Sequence, residues 1–185
     1  PNNPIPAKLS TLTSGTAFEI LTADNTNSAT DPIITTLQKV PVINGYRYTN
    51  AVKLGNSASG AQADKMTYRL TVPTGVSSYN ITYAFAMILQ SPGHVENDQP
   101  AFVANVLDLS QPAGQQKITC GSKAYNASTP GLIAQGSNLK YSNWQEVSFD
   151  LSQYAGKQIE INFQALDCTL SGHYGYAYFA LRSEN

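Results

Sequence analysis

A chain of 185 residues with only 12% charged side chains and a formal net charge of −1 lacks the basic footprint needed to hold nucleic acid or an anionic membrane. Its 42% hydrophobic content excludes a compositionally disordered chain, and its length suits one domain with a full core. No apolar run approaches the roughly 20 residues of a membrane-spanning helix, so membrane insertion is not expected.

With so few charges, the polar surface must come from Thr, Ser, Asn and Gln, as in extracellular β-domains. Tyrosine is abundant, 11 residues against 6 Phe and 1 Trp, and its rigid face and hydroxyl suit recognition surfaces. The opening Pro1-Asn2-Asn3-Pro4-Ile5-Pro6 reads as an extended linker over residues 1–10. Residues 11–185 are expected to form a single β-sandwich domain, read as excised from a longer exported protein.

In chain order, the 22–32 segment carries Asp24, Asn25, Asn27 and Asp31, and reads as a loop. Residues 66–72 alternate apolar and polar and stop at Pro73-Thr74-Gly75, which predicts a strand. Residues 79–89 form the longest apolar run, which predicts a central strand. A polar loop, 90–100, leads to a predicted strand at 102–107. Further strands are predicted at 117–120, 145–149, 158–163 and 174–179, with a long Gly-, Ser-, Asn- and Pro-rich loop at 121–143. No window of twelve residues keeps a helical stripe. The expected fold is all-β, a jelly-roll type sandwich of two antiparallel sheets.

Two groups of residues carry a family likeness. Asp150-Leu151-Ser152, followed by Tyr154-Ala155-Gly156 and a second strand, resembles a pattern of jelly-roll modules, including cleaved-adhesin and MAM-like modules. Ser91-Pro92-Gly93-His94, Gln99-Pro100-Ala101-Phe102 and the run Asp167-Cys168 through Ser171-Gly172-His173-Tyr174-Gly175-Tyr176-Ala177-Tyr178-Phe179 are similar to a module of large adhesin-like surface proteins of gliding, Bacteroidetes-like bacteria. The likeness spans roughly residues 50–181. It implies a secreted or cell-surface jelly roll without naming a ligand. In related jelly rolls an acid after the final aromatic strand helps to hold calcium. Phe18-Glu19 matches one half of that pattern, whereas Ala180 occupies the acid's position.

Several candidate sites follow. Glu19, Asp24, Asn25 and Asp31 offer the hard oxygens of a structural calcium site, although Asp and Asn are also ordinary turn formers. Soft ligands are not clustered along the chain, so calcium is the expected cation. His94 and His173 admit two readings: a metal or catalytic pair, or buried rings that pin loops. Cys120 and Cys168 are either free thiols or, as an exported β-domain favours, a disulfide. Trp144 and the alternating Tyr174, Tyr176 and Tyr178 either stack on a sugar or belong to the core. Large groups on both faces of that last strand favour the core.

No Gly-x-Ser-x-Gly nucleophile elbow is present, and no carboxylate pair stands out, so the chain is not expected to be an enzyme. The expected function is an extracellular ligand-binding, adhesive module with a glycan or peptide ligand. The alternatives are a spacer in a surface fibre and an accessory module of a secreted hydrolase. The ligand is expected at the loop end formed by His94, Glu96, Asn97, Asp98, Gln99, Asp167, His173 and Tyr174, with Trp144 as a neighbour.

Overall fold

The computed structural model describes residues 12–23, 29–91 and 93–184. The expected 1–10 linker therefore lies outside the described residues, as do Asp24 and Asn25. The strands in chain order are β1 (Thr13–Gly15), β2 (Phe18–Thr22), β3 (Val42–Ile43), β4 (Tyr46–Arg47), β5 (Asn50–Leu54), β6 (Gln62–Thr71), β7 (Asn80–Gln90) and β8 (Ala101–Asp108). They continue with β9 (Lys123–Asn126), β10 (Ile133–Gln135), β11 (Leu139–Tyr141), β12 (Gln145–Asp150), β13 (Gln158–Leu166) and β14 (Gly175–Glu184). Single 3-10 turns occupy Glu96–Asp98 and Ser152–Tyr154.

One sheet is ordered β1-β6-β13-β8-β9 and the other β10-β11-β7-β14-β5-β2, with β12 also on β7. Successive long strands alternate between the sheets, so β6-β13-β8-β9 faces β5-β14-β7-β12. That is the jelly-roll order. The long-strand pairings are antiparallel, and β1 joins β6 in parallel at an edge.

The core between the sheets follows directly from period two. Ile81, Tyr83, Phe85, Met87 and Leu89 of β7 point inward with Ala177 and Phe179 of β14. They meet Ile159, Ile161, Phe163 and Ala165 of β13 and Phe102, Ala104 and Val106 of β8. Phe163 stacks on Phe179 at 4.0 Å, and each fully buried side chain of this size contributes about 1.5–3 kcal/mol. The Tyr83 hydroxyl, buried in this layer, donates to the Gly121 carbonyl at 2.9 Å, and burial raises its pKa.

The opposite face of β7 and β14 is also buried. Ala84 and Ala86 leave room there for Tyr176 and Tyr178, and residues 29–48 fold across them as a lid. Ile34, Leu37 and Tyr48 are the lid's apolar anchors. Asp31 lies under it at 0% exposure. Its carboxylate accepts the N–H groups of Ile33 and Ile34 at 2.8 and 2.7 Å, and the hydroxyls of Tyr176 and Tyr178 at 3.0 and 2.7 Å. Burial, reinforced by the Asp31 charge, raises the pKa of both phenols, which stay protonated as donors.

The predicted strands at 102–107, 145–149 and 158–163 fall within β8, β12 and β13, and those at 66–72, 79–89 and 174–179 overlap β6, β7 and β14 with one residue beyond an end. Two expectations are corrected. Residues 117–120 form no strand, because only Lys117 bridges Leu107 and only Ile118 turns inward. Residues 121–143 are not one loop, since they hold β9, β10 and β11.

Replacing Asp31 with Ala should strand two buried hydroxyls and two N–H groups. At about 1–3 kcal/mol for each unsatisfied buried group, the loss should reach about 3 kcal/mol or more. Urea denaturation read by tyrosine fluorescence measures it. An unchanged midpoint would show that the carboxylate does not tether the lid.

Candidate functional site

The expected ligand end assembles only in part. Residues 93–99 and the 167–174 corner between β13 and β14 do meet, and several of their polar groups bond within the protein, although His94 Nδ1 and Gln99 Oε1 are buried without a partner. Asp167, 4% exposed, accepts the Gln62 N–H at 3.0 Å and the Gly175 N–H at 3.1 Å. Gln99, 2% exposed, donates to the His94 carbonyl at 2.6 Å. Thr169 donates its hydroxyl to Asp98 at 2.5 Å. Tyr174 donates its N–H to the Gln90 side chain at 3.1 Å. Gly175 is required here, because a Cβ would stand 2.6 Å from the Leu166 carbonyl oxygen. Asp98, Gln99 and Asp167 thus brace the loops through these bonds, and Glu96 and Asn97 are exposed.

The histidines do converge. Their rings are edge-on at 5.1 Å, and Cys168 lies beneath them, buried, with Sγ 3.5 Å from His173 Nδ1. One ligand atom from each of His94, Cys168 and His173 lies within 4.8 Å of the others. Burial first, and then the neighbouring His94, lower the pKa of His173. His94 Nδ1 is buried with no hydrogen-bond partner. The expectation that soft ligands do not cluster is therefore corrected. The signal was long-range and lay in strand pairing, since β14 returns along β7 to bring Tyr174 beside Gln90 and His173 beside His94.

The expected Cys120–Cys168 disulfide is also corrected: both thiols are free. Ile118 donates to the Val106 carbonyl, and Val106 pairs with Ile161. Cys168 lies beyond Leu166, so about 16 Å of β13 separates the two levels at 3.3 Å per residue. A disulfide needs Cα atoms within about 7 Å.

Of the expected calcium set, Asp24 and Asn25 lie outside the described residues, and Asp31 is engaged by donors. Four N–H and O–H donors aim at that carboxylate, whereas a calcium ion needs oxygen acceptors around it. Glu19 is exposed on the edge strand β2, opposite Lys53.

Trp144 lies away from the corner, on the outer face of the seven-stranded sheet. Ser142 exchanges hydrogen bonds with the Met87 backbone, through its N–H at 3.0 Å and its hydroxyl at 3.1 Å, which fixes the chain two residues earlier. The indole N–H then donates to the Gln38 carbonyl at 2.7 Å, and the ring leans on Tyr178 at 6.3 Å. Trp144 walls a cleft of about 340 Å³ with Gln38, Pro41, Asn44 and Asn143. Asn44 and Gly45, with φ of 50° and 83°, turn the β3–β4 hairpin that forms the opposite rim. The Asn-Gly pair between Val42-Ile43 and Tyr46-Arg47 is a hairpin signal legible in the sequence, and it marks a rim that the sequence reading missed.

No family model matches the chain, and no characterised protein matches its sequence. Solved structures overlap in part. A carbohydrate-binding module specific for non-crystalline cellulose has 13% identity and a TM-score of 0.41, covering 79% of this chain and 80% of that one. The K1 cleaved adhesin domain of Lys-gingipain from Porphyromonas gingivalis W83 has 13% identity and a TM-score of 0.41, covering 90% and 89%. A carbohydrate-binding module in complex with β-1,4-galactotriose has 11% identity and a TM-score of 0.40, covering 91% and 83%. The fold assignment rests on the strand order itself.

Two outcomes check this site. Intact mass after alkylation of the native protein should show one modification, at exposed Cys120, and a second only after unfolding exposes Cys168. A mass that changes by two hydrogens on reduction alone would restore the disulfide. Gln99→Ala should cost about 1–3 kcal/mol of stability, because the His94 carbonyl loses its donor. Thermal melting measures that loss, and an unchanged melt would make Gln99 a surface group.

Proposed function

We propose that this chain is a non-catalytic extracellular binding module that holds an uncharged glycan in the cleft between Trp144 and the β3–β4 hairpin. The observation that carries this reading is the fixed indole. Its N–H is spent on Gln38, so what Trp144 presents to the cleft is an apolar ring. Gln38, Asn44 and Asn143 surround it with amide groups that both donate and accept. A flat apolar face beside directional neutral partners suits a sugar ring, which has C–H faces and equatorial hydroxyls.

The described residues lining the cleft include no carboxylate, histidine or cysteine. Glycoside hydrolysis generally needs two carboxylates across the scissile bond, so the cleft suits binding and not cleavage. A spacer would have no use for an indole held open at a concave surface. Secretion or display at a cell surface fits the low charge and the Thr-, Ser- and Asn-rich exterior.

Glycan and peptide arrays, followed by titration calorimetry on the best ligand, test the reading. Trp144→Ala should weaken glycan binding by about 2 kcal/mol or more, roughly thirtyfold. Asn143→Ala should weaken it less. Equal binding by the parent and Trp144→Ala would place the ligand elsewhere. Binding confined to the peptide array would remove the glycan.

A further inference from the structure

We propose that His94, Cys168 and His173 form a binding site for a divalent transition-metal ion of zinc type. One thiolate and two imidazoles are the donor set that borderline ions such as Zn²⁺ select, and one that calcium and magnesium do not. Around a tetrahedral zinc, with bonds of about 2.0–2.3 Å, neighbouring ligand atoms stand roughly 3.3–3.8 Å apart. Here Cys168 Sγ and His173 Nδ1 are already 3.5 Å apart, and no pair of the ligand atoms exceeds 4.8 Å. Closing the remaining gap requires one half-buried imidazole to rotate toward the ion.

Three independent features support the site. His94 Nδ1 is buried without a partner, as are Gln99 Oε1, Gln164 Oε1 and Arg182 Nε among the described residues, and it alone of these belongs to a group that can ligate a metal here. The backbone behind each histidine is held: Gln99 donates to the His94 carbonyl at 2.6 Å, and the Cys168 N–H donates to the His173 carbonyl at 2.9 Å. These bonds fix the main chain that carries the two imidazoles. Finally, the sulfur lies at the buried base while both imidazoles are half-exposed, so the ion has an entry path.

On binding, the Cys168 thiol gives its proton to solvent and the resulting thiolate coordinates the metal. Three protein ligands leave a fourth position for water or for a donor group of a bound partner. The ion would clamp the 93–99 loop to the β13–β14 corner. It is separate from the Trp144 cleft and stands or falls independently of glycan binding.

The test uses the purified chain under reducing, metal-free conditions. Zinc is titrated against a chromophoric chelator, and cobalt(II) serves as a spectroscopic probe. One ion per chain, a higher melting temperature with zinc, and a thiolate-to-cobalt charge-transfer band are expected. Cys168→Ser should abolish the band. His94→Gln and His173→Gln should each lower zinc affinity by at least roughly a hundredfold, the upper end of what losing an outer partner costs. Cys120→Ser and Trp144→Ala should bind as the parent does. Should Cys168→Ser fail to fold, the half-exposed His94→Gln variant decides through the cobalt spectrum. Less than one ion per chain, a cobalt spectrum without thiolate character, or a cobalt spectrum unchanged in His94→Gln would overturn the proposal.

Discussion

A carboxylate with no exposure holds the lid on this sandwich. Removing Asp31 from water costs several kcal/mol unless donors replace the lost hydration. Four do so, and they come from two places: Ile33 and Ile34 from the lid, Tyr176 and Tyr178 from β14. The carboxylate is therefore the joint between an irregular segment and a regular sheet. Without a lid, the outer face of β14 would expose two tyrosine rings. Without Asp31, those rings would be covered but their hydroxyls unsatisfied. Once the lid is fixed, Gln38 presents its carbonyl to Trp144, and the hairpin of β3 and β4 stands opposite as the far rim. The cleft is a consequence of how the sheet is covered.

A second carboxylate plays a similar part at the end of the sandwich. Asp167 takes one N–H from Gln62 at the start of β6 and one from Gly175 at the start of β14. Those strands belong to different sheets, so one side chain fixes the spacing between them where the ladders run out. Gly175 allows the approach, since any Cβ there would collide with the Leu166 carbonyl. Cys168 follows Asp167 directly, and His173 closes the same corner by accepting the Cys168 N–H. The placement of the three potential metal ligands thus derives from strand ends, and Gln99 adds the remaining restraint from the 93–99 side.

The sandwich was legible because its long strands share one core, which imposes period two on each of them. The double burial of β14 was legible too, from Tyr176 and Tyr178 on one face and Phe179 on the other. The lid was not, because Ile34, Leu37 and Tyr48 are single apolar anchors in an aperiodic segment. Ile118 imitated a strand for the opposite reason: one inward residue between polar neighbours looks like alternation. Asp31 sits among turn formers and reads as a cation ligand. Nothing local reveals that tyrosine hydroxyls 145 and 147 positions away point at it. The same holds for the histidines, whose meeting depends on β14 pairing with β7 along its whole length. Polar residues in loops were read as free to bind. Several of them, Asp31, Gln99 and Asp167 among them, satisfy backbone groups instead, as loops in a compact domain must.

That observation sharpens the functional argument. Where polar loop groups are consumed by structure, the features left over carry the two proposals: an indole whose ring lines an open cleft, and an imidazole nitrogen buried without a partner. Both are held rigidly. Trp144, Tyr178, Tyr176 and Tyr174 succeed one another with ring separations of 6.3, 6.1 and 6.0 Å, a packed row that fixes the floor of the outer face. Rigidity of this kind matters most for a weakly interacting ligand such as an uncharged sugar. Each amide contributes little net free energy, and ordering a mobile site would cancel the gain. A pre-shaped cleft with neutral donors and acceptors favours ligands by the direction of their hydroxyls and is indifferent to charge. That selectivity accords with a chain of formal net charge −1 and only 12% charged residues.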